Sequence, residues 1–272
     1  MPTGSDRDQA GLTWQTEIWN RMSQIYKSEI DRRFVPVVDR VIAHAGLKPG
    51  ERVLDLGAGT GSVSFQVAPL VAPGGRVTGL DISPEMVAVA RERAQELGLD
   101  NISFQEGRAE AIPAADGAFD AALASLSMMY VIDRETAARE IARVVRVGGR
   151  LVAAVWAAPE DCDIAKFQKI ASGFAPAPPV SDVSPWALAA PKPFCVQLED
   201  AGFDVRIETE TLGFSFDDFA SAWETLAGVT VAKLTPEQQL EARAAVMASM
   251  WPNDDGPRDF RNMTHFIVGQ RR

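Results

Sequence analysis

The 272-residue sequence predicts an α/β fold, a seven-stranded, mostly parallel sheet with helices on both faces. Three observations predict it. Apolar runs of strand length alternate with segments of helical periodicity from residue 52 to residue 156. Glycine and proline pairs punctuate that alternation. Single helices between successive strands imply right-handed crossovers, and therefore parallel neighbours.

Residues 12–45 read as two helices. Ile18, Met22, Ile25 and Tyr26 recur at helical spacing, as do Val37, Val38, Val41 and Ile42. Lys48-Pro49-Gly50 then turns the chain. Arg52–Leu56 is a short apolar strand running into glycines, and Ser62–Val71 continues as a helix up to Pro73-Gly74-Gly75. Arg76–Leu80 is the second strand and ends at Asp81. Ser83 is a good helix N-cap, and Pro84 suits the first helical position. Val87, Ala90, Ala94 and Leu97 form one face of that helix, which Gly98 stops. Ile102–Gln105 and Phe119–Ser125 are the third and fourth strands. Asp133 caps a helix over Arg134–Arg146, Gly148-Gly149 ends it, and Arg150–Trp156 is the fifth strand.

Residues 157–192 break the rhythm with six prolines and one helical piece, near Ile164–Ser172. A loop this long in a compact domain is usually a lid or binding loop. A helix at Phe194–Ala201, a strand at Phe203–Leu212, helices near Phe216–Ala227 and Pro236–Met250, and a last strand at Phe260–Gly269 complete the chain. The expected organisation is a helical segment, 1–45, forming part of a cap. The α/β domain, 46–272, would carry cap insertions at 157–192 and 214–258.

The formal charge is −10 and the pI about 4.8. A broad phosphate-binding surface needs clustered Lys and Arg, so no nucleic-acid partner is expected. Cys162 and Cys195 lack metal-ligand spacing, and no metal site is expected. They read as reduced thiols of a cytoplasmic protein. The polar N-terminus, with Asp6, Arg7 and Asp8, lacks the apolar core of a signal peptide. Ala118–Ile132, the most apolar stretch, is interrupted by Asp120, Ser125 and Ser127, so no membrane segment is expected.

The informative segment is Val53-Leu54-Asp55-Leu56-Gly57-Ala58-Gly59-Thr60-Gly61. Glycines at a strand-to-helix turn let a ligand approach the backbone, and the following helix offers free amides. The spacing departs from the dinucleotide pattern G-x-G-x-x-G, with Ser62 at its third small position. Asp55 precedes the glycines directly. A carboxylate there repels a pyrophosphate but attracts an ammonium or a sulfonium. Asp81, 20 residues after Gly61, ends the second strand, where a carboxylate can accept from ribose hydroxyls. The joint pattern points to a cationic, phosphate-free nucleoside.

On these residues the sequence resembles the class I S-adenosylmethionine-dependent methyltransferases, and among them the group similar to ubiquinone/menaquinone C-methyltransferases. The resemblance spans roughly residues 18–215. It rests on VLDLGAGTG (53–61), VTGLDISPEMVAVARERA (77–94), EGRAEAIP (106–113), FDAALASLSMMYVID (119–133) and EIARVVRVGGRLVAAVW (140–156). It implies a Rossmann-like sheet with an antiparallel last strand, S-adenosyl-L-methionine as cofactor and S-adenosyl-L-homocysteine as product. It also implies roles by position. Gly57, Ala58 and Gly59 would line the methionine part, with Asp55 near its ammonium. Asp81 would hold the ribose, with Ile82 and Met86 near the adenine and Arg108, Ala109 and Glu110 at its edge. Ser125 would lie beside the methionine moiety, and Tyr26 would close over the cofactor. Two departures stand out. Arg108 occupies a position where relatives often carry Asp, and it cannot accept a hydrogen bond from the adenine amino group. Val147 replaces the more usual proline of a turn.

Ligands of open α/β sheets bind beyond the carboxyl ends of the strands, at the switch in strand order. The segments delivered there supply Met128, Met129, Tyr130, Trp156, Phe174, Trp186 and Phe194, with Trp223 and Met247 from the later insertion. Met129, Tyr130, Trp156 and Trp186 are the expected substrate contacts. Apolar lining with few polar groups is usual for small-ligand pockets, so a hydrophobic or aromatic small-molecule methyl acceptor is expected. No catalytic base stands out, since His44 lies on a helix and His265 in the last strand. The alternatives are a non-catalytic cofactor-binding module and a methyltransferase acting on RNA or protein.

Overall fold

A computed structural model describes residues 4–231, 234–253 and 255–272. The expected sheet is present, with seven strands in the order β3-β2-β1-β4-β5-β7-β6. The strands are β1 (Arg52–Leu56), β2 (Arg76–Asp81), β3 (Ile102–Glu106), β4 (Phe119–Ser125), β5 (Val145–Trp156), β6 (Phe203–Phe216) and β7 (Arg258–Arg271). The first five run parallel, and β7 lies antiparallel to both β5 and β6. The chain winds outward from β1 to β2 and β3, then returns to place β4 on the other side of β1. That reversal puts the right-handed crossover helices α3 (Ser62–Val71) and α4 (Pro84–Glu96) on one face and α5 (Arg134–Val144) on the other. Buried apolar residues of the central strands, including Leu54, Leu80 and Leu123, join the helix faces in one core.

The N-terminal segment begins earlier than its apolar pattern, with α1 (Gly4–Ile25). A single π turn, Tyr26–Ile30, joins it to α2 (Asp31–Ala45). Val37, Val38 and Val41 of α2 are buried, as their spacing predicted. Ser83 caps α4 by accepting from the Met86 amide, and Asp133 caps α5 by accepting from the Thr136 amide. Leu97 is a departure. It lies past the end of α4 and is 58% exposed, because the helix closes one residue before it.

Several boundaries differ from the sequence reading. α5 stops at Val144, and β5 starts five residues early, at Val145. Pairing with β4 jumps from Phe119–Val145 to Ala121–Arg150, and Gly148 at φ +73° lets the intervening residues loop out without ending the strand. β6 and β7 are both longer than expected, because Phe214 and Phe216 pair across the ladder with Phe260 and Arg258. The helix expected from Phe216 therefore begins at Phe219 (α8, Phe219–Leu226), with Asp218 accepting from the Ser221 amide as its cap.

The remaining helices are α6 (Asp163–Ser172), α7 (Lys192–Asp200), α9 (Gly228–Val231) and α10 (Pro236–Met250). α7 packs on α5 and β6. α6 packs against α8, α9, α10 and β7, and α9 also touches α1. Asn262 of β7 fixes the start of α6, since its Oδ1 accepts from the Ile164 amide at 2.9 Å and from the Cys162 thiol. No helix among the described residues is long and apolar enough to cross a membrane.

The burial contrast gives a direct test of the core. Leu123 on β4 is fully buried and Leu240 on α10 is 68% exposed. Leu123→Ala is expected to lower the unfolding free energy by about 2–5 kcal/mol and Leu240→Ala by under about 0.5 kcal/mol, measured by urea denaturation.

Candidate active site

The site forms where the chain reverses direction between β1 and β4. The turn after β1 holds Gly57 at φ +67°, Gly59 at φ +54° and Gly61 at φ +94°, conformations that L side chains rarely adopt. The Gly57 and Ala58 amides donate to the Leu80 carbonyl at 2.8 and 3.0 Å. The Gly59 amide donates to Asp81 Oδ2 at 2.8 Å, and the Ser83 amide donates to Asp81 Oδ1 at 2.9 Å. One carboxylate thus holds two loops together. Asp81 is buried, and burial raises its pKa despite these bonds. The Ser127 hydroxyl donates to the Leu56 carbonyl at 2.7 Å, which binds the end of β1 to the loop after β4.

The N-terminal helices are tied to the same loops. The Ser83 hydroxyl donates to Asn20 Oδ1 on α1 at 2.6 Å. The Thr60 hydroxyl donates to Asp31 Oδ2 on α2 at 2.7 Å. The Arg93 guanidinium also donates to that oxygen and, at 2.8 Å, to the Thr60 carbonyl. Arg93 in turn stacks on the Phe65 ring of α3.

Between the helices and the strand ends lies a cavity of about 1110 Å³ including its mouth. Its wall contains Tyr26, Gly57, Ala58, Gly59, Asp81, Ile82, Met86, Arg108, Ala109, Glu110 and Ser125, eleven of the twelve positions the sequence pattern singled out. The exception is Asp55. It is packed beneath α3, where its Oδ2 accepts from the Ser64 hydroxyl at 2.7 Å. It is buried off the cavity wall, so its charge acts on a ligand only across the glycine turn. Its other oxygen has no hydrogen-bond partner, and burial pushes its pKa up to about 7.

A smaller cavity of about 410 Å³ adjoins the first and shares Tyr26, Phe34, Leu126 and Tyr130 with it. The Trp19 ring stands edge-on to both tyrosines, with centroids 6.0 Å from Tyr26 and 4.9 Å from Tyr130. Burial raises the pKa of both phenols, so they stay neutral. Leu126 sits in the left-handed region at φ +58°, an uncommon state for a branched residue and a sign of local strain where the two cavities meet.

Of the expected substrate contacts, Tyr130 lines both cavities and Trp156 lines the smaller one. Met129 and Trp186 are corrections. Met129 is fully buried in the core, and Trp186 packs against that core outside both cavities. His265 on β7 pairs with Thr209 on β6, and His44 faces Glu208 and Glu210; neither lines the two cavities described above. Burial pushes the Cys162 and Cys195 thiols up to about 12 and about 11. Among the described residues no cluster of His, Cys, Asp and Glu could hold a metal ion.

Sequence reasoning missed Leu12, Gln15, Trp19, Asp31 and Phe34, which also line the larger cavity. Leu12, Gln15, Trp19 and Tyr26 fall at helical intervals of three, four and seven, a signal that an apolar-only count overlooks because Gln15 is polar. Gln15 Nε2 is buried and has no hydrogen-bond partner.

Residues 47–173 match the family model of a methyltransferase domain. That stretch, a little under half of the chain, is similar to methyltransferase domains. An uncharacterized protein of Mycobacterium tuberculosis is 32% identical to the whole sequence over 154 residues, 57% of this chain and 54% of the relative. The ubiquinone/menaquinone biosynthesis C-methyltransferase of Hahella chejuensis is 35% identical over 132 residues, 48% of this chain and 53% of the relative. The chain thus spans about half the length of these relatives. The crystal structure of YcgJ from Bacillus subtilis shares the fold with a TM-score of 0.64 at 23% identity, covering 86% of this chain and 97% of that one.

The residues lining the larger cavity fit S-adenosylmethionine. A Cβ built at Gly59 would meet no atom within 4 Å, which leaves bare backbone facing the open space. The orphaned Gln15 amide offers a donor in the same wall.

The buried Asp55 carboxyl makes stability depend on pH. An acid whose pKa is higher folded than unfolded favours the fold while protonated, and that gain is lost as pH rises from about 4 to about 7. Asp55→Asn cannot ionise and escapes the loss. The unfolding free energy of the variant minus that of the parent is expected to increase by roughly 2 kcal/mol from pH 5 to pH 8. Urea denaturation at each pH measures it, and a difference independent of pH contradicts the assignment.

Proposed function

We propose that this protein transfers a methyl group from S-adenosylmethionine to a small, neutral, largely apolar metabolite at oxygen, carbon or nitrogen. The observation that carries the reading is the pair of adjoining cavities divided by Tyr26 and Tyr130. The larger has a bare glycine turn and a carboxylate at the second strand end. The smaller is lined mainly by apolar side chains and by no charged one. Its size and its enclosure by the π turn, α2, α6, α8 and α9 favour a metabolite over a polymer strand. The N-terminal helices and the 157–192 and 214–258 segments then act as the cap. The two buried thiols, Cys162 and Cys195, fit work in the reducing cytoplasm.

In this reading Asp81 keeps lone pairs for ribose hydroxyls after accepting from Gly59 and Ser83. Ile82 and Met86 pack on the adenine, and the Arg108–Glu110 turn meets its edge. The amides that open α3 face the methionine carboxylate. Bound S-adenosylmethionine supplies an electrophilic methyl group on a cationic sulfur. The chain's own contribution is to orient the acceptor and exclude water. Tyr26 and Tyr130, held neutral, serve as hydrogen-bonding walls and not as bases. No residue lining the smaller cavity is a basic side chain, so the acceptor atom must be nucleophilic without a strong base beside it.

Incubation with methyl-labelled cofactor and a metabolite extract is expected to yield a labelled low-mass product. Label found only in RNA or protein would sink the small-acceptor reading. Gly59→Asn probes the cofactor wall separately, because Asn tolerates the left-handed backbone while its side chain enters the cavity. It is expected to keep the melting temperature within a few degrees and to weaken S-adenosylhomocysteine binding at least about tenfold by calorimetry, a loss of about 1.4 kcal/mol.

A further inference from the structure

One residue lining the smaller cavity carries a buried side-chain oxygen that its surroundings leave unsatisfied. Gln168, on α6, is 4% exposed and lines this cavity. Its Nε2 donates to the Leu226 carbonyl at 2.6 Å. A carbonyl can only accept, so this bond fixes the amide orientation and leaves Oε1 as the second group. Oε1 is buried and has no hydrogen-bond partner. Thr225 borders the same space, but its hydroxyl donates to the Ser221 carbonyl at 2.7 Å and is not available to Gln168. Ile30, Trp156, Ile164, Pro185 and Val229 supply apolar wall.

Buried polar groups are almost always paired, and those that are not usually await a ligand, a water or an ion. An acceptor oxygen recognises a donor. We infer that Gln168 selects the acceptor: its side-chain carbonyl anchors a neutral hydroxyl or N–H group on an otherwise apolar, aromatic-sized molecule. An ammonium would enter without a counter-ion, and a carboxylate would face Oε1 with lone pair against lone pair, so both are disfavoured. A keto or ether analogue fills the same space but leaves Oε1 orphaned. Gln168 is thus a positioning and specificity residue, placed by the Asn262 bonds that start α6 on β7 and by the Leu226 carbonyl of α8.

This inference rests on the methyl-transfer reading for its biological sense, but its test does not require turnover. With S-adenosylhomocysteine saturating the full chain, calorimetry compares matched probes: 1-naphthol with 1-methoxynaphthalene, and phenol with anisole. The parent chain is expected to bind the hydroxyl member of at least one pair about tenfold or more tightly. Gln168→Met keeps the side-chain length and removes the carbonyl. It is expected to reduce that preference to within about twofold while leaving S-adenosylhomocysteine affinity unchanged. Equal binding of both members by the parent, no binding of any probe, or a preference that survives in Gln168→Met would each overturn the assignment. The parent's own preference decides the matter if the variant does not fold. A hydroxyl preference without any labelled low-mass product would count against methyl transfer and leave the role of Gln168 standing.

Discussion

The Asp81 carboxylate is the joint on which the candidate site depends. Each of its oxygens accepts from the backbone of a different loop, Gly59 after β1 and Ser83 before α4. A buried carboxylate is costly to desolvate, and two amide donors are what make it tolerable there. The same bonds set the separation of two strand ends. The Leu80 carbonyl, one residue earlier, receives the Gly57 and Ala58 amides and fixes the approach of the glycine turn from the other side. The cradle is therefore assembled from backbone held in place by one side chain.

The N-terminal helices reach this joint through polar contacts rather than apolar packing alone. Asn20 meets Ser83, and Asp31 meets Thr60 and Arg93. Each contact ends on a residue of, or next to, the loops that Asp81 organises. The apolar part of the seam is Ile18, Met22, Ile30 and Met86, which form a small cluster of their own. Burial of that cluster provides non-directional stabilisation, while the polar pairs fix how the helices sit over the strand ends.

Much of this was legible in the sequence because it depends on local rules. Ser83, Pro84 and Asp133 announced helix starts through capping chemistry, and the glycine turn announced itself through backbone freedom. Asp55 lies off the cavity wall because strand position alone does not say which neighbour a side chain meets, and Ser64 near the start of α3 donates to it. Met129 and Trp186 looked like pocket residues because they are apolar and near the strand ends, but tertiary packing absorbed them. The strand extension through Phe216 was hidden for the opposite reason. Its partners on β7 lie more than 40 residues away, and the aromatic stack of Phe214, Phe216 and Phe260 forms only once the two strands pair. Gln168 carried no signal at all, since an orphaned oxygen is defined by what three distant segments fail to supply.

The π turn at Tyr26–Ile30 controls the angular setting of α1. A helix advances about 100° per residue, so one residue more or less between Tyr26 and Asp31 would swing the Leu12–Gln15–Trp19 edge around its own axis, off the cavity. The spare residue accommodated by the wider turn brings that edge and the Asp31 carboxylate to bear on the same space. Segment length here, rather than the chemistry of the intervening side chains, acts as the protractor that aims α1 at the cavity.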